Sequence, residues 1–150
     1  MRRDISRGVL RLRLSLLLLL SGAFAAGCGS SPPSAESVAR AWSQELNSGD
    51  NEAAAKLFAR GAEIVQAGTT LRLETQAEAV AWNAALPCSG KIVAMKTHDE
   101  TATATFVLGN RQESKCDGPG QQVTAIFRVH EGKIVLWHQT TSEEPVGPTI

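Results

Sequence analysis

The chain has 150 residues, which is room for one domain, and its 15 basic residues balance 15 acidic ones. The balance hides an uneven distribution, because five arginines precede residue 14, and from Cys28 onward ten basic residues stand against fourteen acidic ones, a net charge of −4. An acidic body without clustered Lys and Arg excludes a nucleic-acid-binding protein. The sequence also has no glycine-rich phosphate loop after a strand, no H-E-x-x-H motif and no G-x-S-x-G motif, which excludes those classes of enzyme.

Residues 1–27 have the three parts of a secretory signal peptide. A basic start is followed by an apolar core from about Leu14 to Ala26 and by small residues. This core is shorter than the roughly 20 apolar residues that a membrane-spanning helix needs. The sequence therefore favours export with a signal peptide over a transmembrane anchor.

The end of the signal resembles the lipobox of bacterial lipoproteins. Ala25-Ala26-Gly27-Cys28 has the small residues and the essential cysteine, although the family most often has Leu in place of Ala25. The resemblance implies that Cys28 becomes the lipidated N-terminus, that residues 28–35 form a flexible tether, and that the protein is anchored on the extracytoplasmic side of the bacterial cell membrane. The alternative is cleavage after Ala23-Phe24-Ala25, which releases a soluble secreted protein, and Sec or Tat export stays open.

Cys88 and Cys116 remain as a pair if Cys28 carries the lipid. Outside the cytoplasm such a pair oxidises. Their spacing of 28 residues fits no zinc pattern and no histidine lies at ligand spacing, so the sequence predicts a disulfide, no metal site and no cofactor.

The first half of the body predicts helices separated by short strands. Residues 35–47 form a helix with Trp42 on its apolar face. Asp50 caps a second helix that runs past Phe58 and stops at Gly61, and short strands at 62–66 and 70–74 follow. A capping box at residues 75–78 starts a third helix that runs to about residue 86. Its predicted apolar face consists of Ala77, Val80, Ala81 and Ala84.

The second half predicts four strands in two hairpins, which turn at residues 99–100 and 131–132. In the first hairpin the apolar face pairs Val93 with Phe106 and Met95 with Ala104. In the second, pairing His130 with Lys133 puts Val129 opposite Ile134 on the apolar face and places two further pairs on the same face. These are Phe127 with Leu136 and Ala125 with His138. The opposite, mixed face carries Ile126, Val135 and Trp137.

Helices gathered on one side of such a sheet make an α+β fold. The chain resembles the nuclear-transport-factor-2-like (NTF2-like) superfamily in its SnoaL-like branch, which shares the cystatin-like fold. The resemblance lies in the stretch 46–50, in the short strand pair followed by a capped helix, and in the closing hairpin at 127–138. It implies a cone over residues 36–141, with three helices packed on a curved antiparallel sheet of four long strands plus the short pair. Residues 142–150 are expected to form a frayed tail.

The resemblance also implies an apolar pocket between the helices and the concave face of the sheet. A non-catalytic domain would bind a small apolar ligand or a protein partner there, and the mixed outer face would serve a homodimer. The residues expected to line the pocket are Trp42, Phe58, Val93, Met95, Phe106, Ala125, Phe127, Leu136 and His138.

The alternative function is a SnoaL-like lyase, isomerase or cyclase. His138 would act as its general base, with Glu63 as a partner acid. The chain has no tyrosine, so the tyrosine donor of ketosteroid isomerases is missing. A third hypothesis is a surface domain with no ligand.

Overall fold

The structure is a computed structural model that describes residues 29–140. The predictions of a signal peptide at 1–27, of lipidation at Cys28 and of a frayed tail at 142–150 lie outside these residues. The helices are α1 (Ala35–Ser48), α2 (Asn51–Lys56) and α3 (Gln76–Ala85). The strands are β1 (Phe58–Gln66), β2 (Thr69–Leu73), β3 (Cys88–His98), β4 (Thr101–Asn110), β5 (Gln122–His130) and β6 (Lys133–Thr140). Within residues 29–140 no helix has the length and apolar character needed to cross a membrane.

The six strands form one mixed sheet in the order β2-β1-β6-β5-β4-β3. Strand β1 pairs in parallel with β6, whereas every other pair of neighbours is antiparallel. The predicted α+β fold with a curved sheet is therefore confirmed. The prediction of a purely antiparallel sheet is wrong, because the first strand of the short pair is nine residues long and joins the edge of β6.

Local capping signals fix the ends of α1 and α3. The Ser34 side chain accepts from the Ser37 amide at the start of α1, and Gly49 ends it with a φ of +82°, a conformation that glycine adopts without steric cost. Thr75 and Glu78 form the predicted capping box of α3.

The second helix ends earlier than the sequence predicts. Helix α2 stops at Lys56, and Phe58 begins β1. The Leu57 carbonyl accepts a hydrogen bond from the Ile134 amide at 2.8 Å. This carbonyl therefore pairs with the start of β6 and not with a further turn of α2. Gly61, with a φ of +75°, lies in the irregular stretch of the β1–β6 pairing and does not end a helix.

The third helix buries a different face from the one predicted. Ala77, Ala81 and Ala84 are exposed, whereas Trp82 and Asn83 are buried. One tryptophan ring covers far more apolar area than an alanine methyl group. The packing of Trp82 therefore decides the rotation of α3.

A β-bulge changes the register of the last hairpin. The pairs His130–Lys133 and Val129–Ile134 agree with the prediction, but Val135 is an extra residue, so Phe127 pairs with Trp137 and Ile126 with His138. Beyond a bulge of this kind every side chain changes face. Trp137 is consequently 5% exposed in the core, and the predictions that Leu136 and His138 face inward are wrong.

The outer face of the sheet accordingly has no tryptophan. It carries half-buried Ile126, Leu136 and His138, with Val65 beside His138 on the neighbouring strand. A homodimer through this face stays a prediction. A second bulge places Val93 outside the ladder, where it is 50% exposed and not in the predicted pocket.

Arg111 ties the helices to the end of β4. Its Nη1 donates to the carbonyl oxygens of Asn83 and Leu86 at 2.7 and 2.8 Å, and its Nη2 donates to Oδ1 of Asn51 at 2.6 Å. The first two acceptors lie at the end of α3, where the last carbonyls lack partners further along the helix, and the Asn83 carbonyl also accepts from the Leu86 amide at 3.4 Å. We expect Arg111→Ala to lower the free energy of unfolding by about 2 kcal/mol in urea titrations, because charged hydrogen bonds are lost from a half-buried site.

Arg111→Lys is the matched control for that substitution. It keeps the charge but not the planar fork, so we expect it to restore only part of the loss. A change of less than about 0.5 kcal/mol in Arg111→Ala, the range of an ordinary surface substitution, would contradict this role.

Candidate ligand-binding cavity

A cavity of about 190 Å³ lies between α1 and the inner face of the sheet. It is at the end of the sheet where β3 and β5 begin and where β1 and β6 end. A dry cavity of about 150 Å³ is known to hold benzene, so this one accommodates a single ring with a small substituent.

The apolar wall of the cavity belongs to an aromatic cluster centred on Trp42. Ring centroids of Phe127, Trp137, Trp82 and Phe106 lie 5.4, 5.9, 6.3 and 6.3 Å from that of Trp42. All three tryptophans of the chain belong to this cluster. Trp42, Phe106 and Trp137 line the cavity, whereas Trp82 packs behind them.

Buried hydrogen bonds hold the Trp42 ring in place. Its Nε1 donates to Oδ1 of Asn83 at 2.8 Å, and Nδ2 of Asn83 donates to the Ala79 carbonyl at 2.8 Å. Asn83 is 0% exposed, so both bonds lie in a medium that strengthens them. The indole nitrogen of Trp137 is buried and has no hydrogen-bond partner among residues 29–140, so packing alone positions that ring.

Two glutamines supply the amide part of the wall. Nε2 of Gln66 donates to Oε1 of Gln139 at 2.8 Å, which joins the ends of β1 and β6. This arrangement leaves the Gln66 carbonyl oxygen and the Gln139 amide nitrogen able to bind a ligand. The Ser43 hydroxyl, by contrast, donates to the Gly90 carbonyl at 3.0 Å.

Glycine at position 90 lets the Phe106 ring pack directly on β3. A Cβ atom at Gly90 would lie 2.9 Å from Cδ1 of Phe106, closer than packed atoms approach. A side chain here would push the ring and change the shape of the cavity.

The disulfide and one carboxylate form the mouth of the cavity. Cys88 and Cys116 are bonded, as predicted, with their Cα atoms 4.5 Å apart. Oδ1 of Asp117 lies 3.3 Å from Sγ of Cys88. Asp117 is the only ionisable side chain on the described wall. Because the disulfide leaves no thiolate, the cluster of Cys88, Cys116 and Asp117 lacks the ligands that a metal ion needs.

The predicted pocket residues divide into three groups. Trp42, Phe106 and Ala125 line the cavity. Phe127 is fully buried beneath it, Met95 packs against the core, and Phe58 lines a separate cavity of about 240 Å³ near the start of α3. Val93, Leu136 and His138 lie away from the wall. Ligand binding by any of these residues stays a prediction.

The structure does not bring His138 and Glu63 together inside the cavity. Both lie on the outer face, where His138 pairs with Val65 and Ile126, and Glu63 pairs with Leu136. The Glu63 carboxylate lies 3.7 Å from Nη2 of Arg72, and no hydrogen bond joins it to His138. The predicted dyad is therefore wrong in its geometry.

Thirteen of the sixteen wall residues were not predicted, among them four large or polar ones, Gln66, Asp117, Trp137 and Gln139. The size of Trp137 is the one signal that could have found it, because a tryptophan gains more than a leucine or a histidine from burial. The other three come from strand ends and a loop, where no periodicity indicates the direction of a side chain.

Solved structures similar to this one share its fold. A polyketide cyclase, so described provisionally, from Sinorhizobium meliloti is 14% identical with a TM-score of 0.59, over 69% of this chain and 94% of that one. An NTF2-like protein of unknown function from Cytophaga hutchinsonii is 9% identical with a TM-score of 0.60, over 71% and 88%. A protein with a ketosteroid isomerase-like fold from Catenulispora acidiphila, in complex with trimethylamine, is 16% identical with a TM-score of 0.58, over 73% and 88%.

These likenesses establish an NTF2-like fold, as the sequence predicted. No protein-family model matches the chain. No curated protein matches it either.

Proposed function

We propose that the protein is a non-catalytic binding domain whose cavity takes an apolar molecule of single-ring size. The observation that carries this proposal is the wall itself, in which three aromatic rings surround a space of about 190 Å³. Concave, mostly apolar spaces with a few polar groups are the usual character of small-molecule sites. A neighbour of this fold was solved with a small organic molecule, which supports the same use of the fold.

Binding is favoured over catalysis because the wall has no acid–base pair. General acid–base catalysis needs a titratable group within reach of the reacting proton, usually with a second group to orient it. The described wall has a single carboxylate, at the mouth, and His138 is on the other side of the sheet. The cyclase and isomerase names of neighbours do not transfer, because one fold hosts many functions.

The proposal places this domain on the outer surface of the cell membrane through a lipid on Cys28. Residues 29–34 separate that cysteine from α1. Six extended residues span at most about 20 Å, so the domain would stay close to the lipid surface. Two or more acyl chains give stable anchoring, whereas one is marginal.

The intact mass of the protein from its native membrane fraction tests the anchor. We expect a chain that begins at Cys28, carries acyl mass and gains two hydrogens on reduction of the Cys88–Cys116 bond. A chain that begins near Ala26 in the soluble fraction would contradict the anchor and leave the binding domain as a secreted protein.

Filling the cavity is expected to abolish binding. Val123 lines the cavity and is half-buried, so we expect the ring of Val123→Phe to occupy part of the space. With benzyl alcohol as the probe, we expect saturable quenching or enhancement of tryptophan fluorescence in the wild type. The variant should bind at least about tenfold more weakly, equivalent to 1.4 kcal/mol.

Val65→Phe is the matched control, because Val65 lies on the outer face beside His138. It adds the same atoms without touching the cavity and should leave benzyl alcohol binding unchanged. Equal weakening in both variants, or binding that Val123→Phe does not weaken, would contradict the cavity as the site.

A further inference from the structure

The charge of the cavity wall has one sign. Asp117 is its only ionisable side chain, and no Lys, Arg or His lies on the described wall. No ion pair neutralises Asp117 within residues 29–140. Neither cation of the same loop, Arg111 or Lys115, lines the cavity. The Arg111 guanidinium donates instead to Asn83, Leu86 and Asn51. The mature chain adds a net charge of −4 in the same direction.

The loop that carries Asp117 is fastened on both sides. The preceding residue, Cys116, is bonded to Cys88, and its amide donates to Oδ1 of Asn110 at 3.0 Å. The following residue, Gly118, accepts from the Gln121 amide at 3.1 Å in a tight turn. The backbone on both sides of Asp117 is therefore fixed, and its exposed carboxylate lies beside Sγ of Cys88 at the cavity mouth.

We propose that the cavity selects amines, with the ammonium group of the ligand at Asp117 and its apolar part among Trp42, Phe106 and Trp137. This inference rests on the proposed function and names the ligand class of the same site. Aromatic faces attract cations because their π electrons are negative, and a carboxylate at the mouth adds to that attraction. The Gln66 carbonyl oxygen is a further acceptor for an N–H group.

Anions are disfavoured by the same arrangement. A ligand carboxylate would meet Asp117 with no compensating cation on the described wall. Two like charges at close range repel each other. The repulsion becomes stronger when water between them is displaced, because the effective dielectric constant falls. The site should therefore rank ligands of equal size by charge.

Three probes of nearly equal size separate charge from shape. Benzylamine is a cation at neutral pH, benzyl alcohol is neutral, and benzoate is an anion, while all three carry one benzene ring. We expect benzylamine to bind about threefold to tenfold more tightly than benzyl alcohol, the range of an exposed ion pair combined with cation–π contact. Benzoate should bind more weakly than benzyl alcohol. The titrations use the whole chain with Cys28→Ser, so that neither acyl chains nor detergent compete for the cavity.

Asp117→Asn removes the charge and keeps the shape of the side chain. In this variant we expect the Kd of benzylamine to rise to that of benzyl alcohol, and the Kd of benzyl alcohol to stay unchanged. Glu113→Gln is the matched control, because Glu113 is an exposed acid in the same loop that does not line the cavity. It should leave the preference for benzylamine intact.

The outcomes separate this inference from the proposed function. Binding of all three probes with equal Kd, or a preference for benzylamine that survives Asp117→Asn, overturns the inference while the binding domain stands. Loss of the preference in both Asp117→Asn and Glu113→Gln also overturns it, because the acidic surface as a whole would then be responsible. Saturable binding of none of the probes contradicts the proposed function itself.

Discussion

Replacing both Cys88 and Cys116 by Ser is expected to lower the free energy of unfolding by about 3–4 kcal/mol. The bond closes a loop across a separation of 28 residues, which contains the whole β3–β4 hairpin. In the chain-entropy model the cross-link acts by reducing the freedom of the unfolded chain. Urea titration followed by tryptophan fluorescence measures the change, because all three tryptophans lie in the core cluster.

Reduction of the wild type provides the control. A reductant should lower the stability of the wild type by a similar amount and should not change the double variant. Because the bond also fastens Asp117, we expect the double variant to lose its preference for benzylamine at urea concentrations where it is still folded. A stability change of less than about 1 kcal/mol would show that the bond does little beyond the packing of the loop.

Phe127→Ala is expected to cost about 3–5 kcal/mol of stability, because it leaves a cavity in the core as well as losing buried apolar area. Phe127 is 0% exposed, and its ring centroid lies 5.4 Å from that of Trp42 and 6.3 Å from that of Phe106. A loss of this size approaches the whole stability of many domains. Phe127→Leu keeps most of the volume, so we expect a folded protein with a smaller loss.

Leu136→Ala is the informative comparison in the same hairpin. A regular ladder would have placed Leu136 opposite Phe127 in the core, whereas the bulge at Val135 places it on the outer face. We therefore expect Leu136→Ala to cost about 1 kcal/mol or less, the usual range away from the core. Equal losses in Phe127→Ala and Leu136→Ala would contradict the register described above.

Elements fixed by neighbouring residues could be predicted from the sequence. The capping box at Thr75 and Glu78, the left-handed end of α1 at Gly49 and the turn at Glu131-Gly132 all depend on contacts within a few residues. Such local hydrogen bonds and backbone preferences act in the same way in most folds. The α+β class followed from the order of these elements along the chain, and the NTF2-like fold from the resemblance of three of its stretches to that superfamily.

Features fixed by distant packing could not be predicted. A β-bulge inserts one extra residue into one strand, and within residues 127–138 the only signal of it is the size of Trp137. Here the bulge places Leu136 and His138 on the outer face and Trp137 in the core. The ring centroid of Trp137 lies 5.0 Å from that of Trp82. The alternation of a regular strand therefore misplaced the residue proposed as a catalytic base.

The residues of the candidate site divide in the same way into those that the sequence predicts and those that it does not. Its apolar wall was partly foreseen, because Trp42 and Phe106 lie on regular faces of α1 and β4. Its polar groups were not, because Gln66 meets Gln139 only through the parallel pairing of β1 with β6, at a separation of 73 residues. Asp117 reaches the mouth because the disulfide and the hydrogen bonds of its loop, such as that of Ser114 to the Pro87 carbonyl, hold it near the start of β3.

The indole N–H signals of the three tryptophans test the central claim most directly. In ¹H–¹⁵N NMR spectra of the whole chain with Cys28→Ser, titrated with benzyl alcohol, we expect saturable shifts that are largest for Trp42 and Trp137, which line the cavity, and smaller for Trp82 behind them. Ring-current changes fall off steeply with distance, so the order of the shifts locates the ligand. Silent indoles, with shifts confined to amides of the outer face such as Ile126 and His138, would contradict a binding cavity and favour the outer face as the surface that binds.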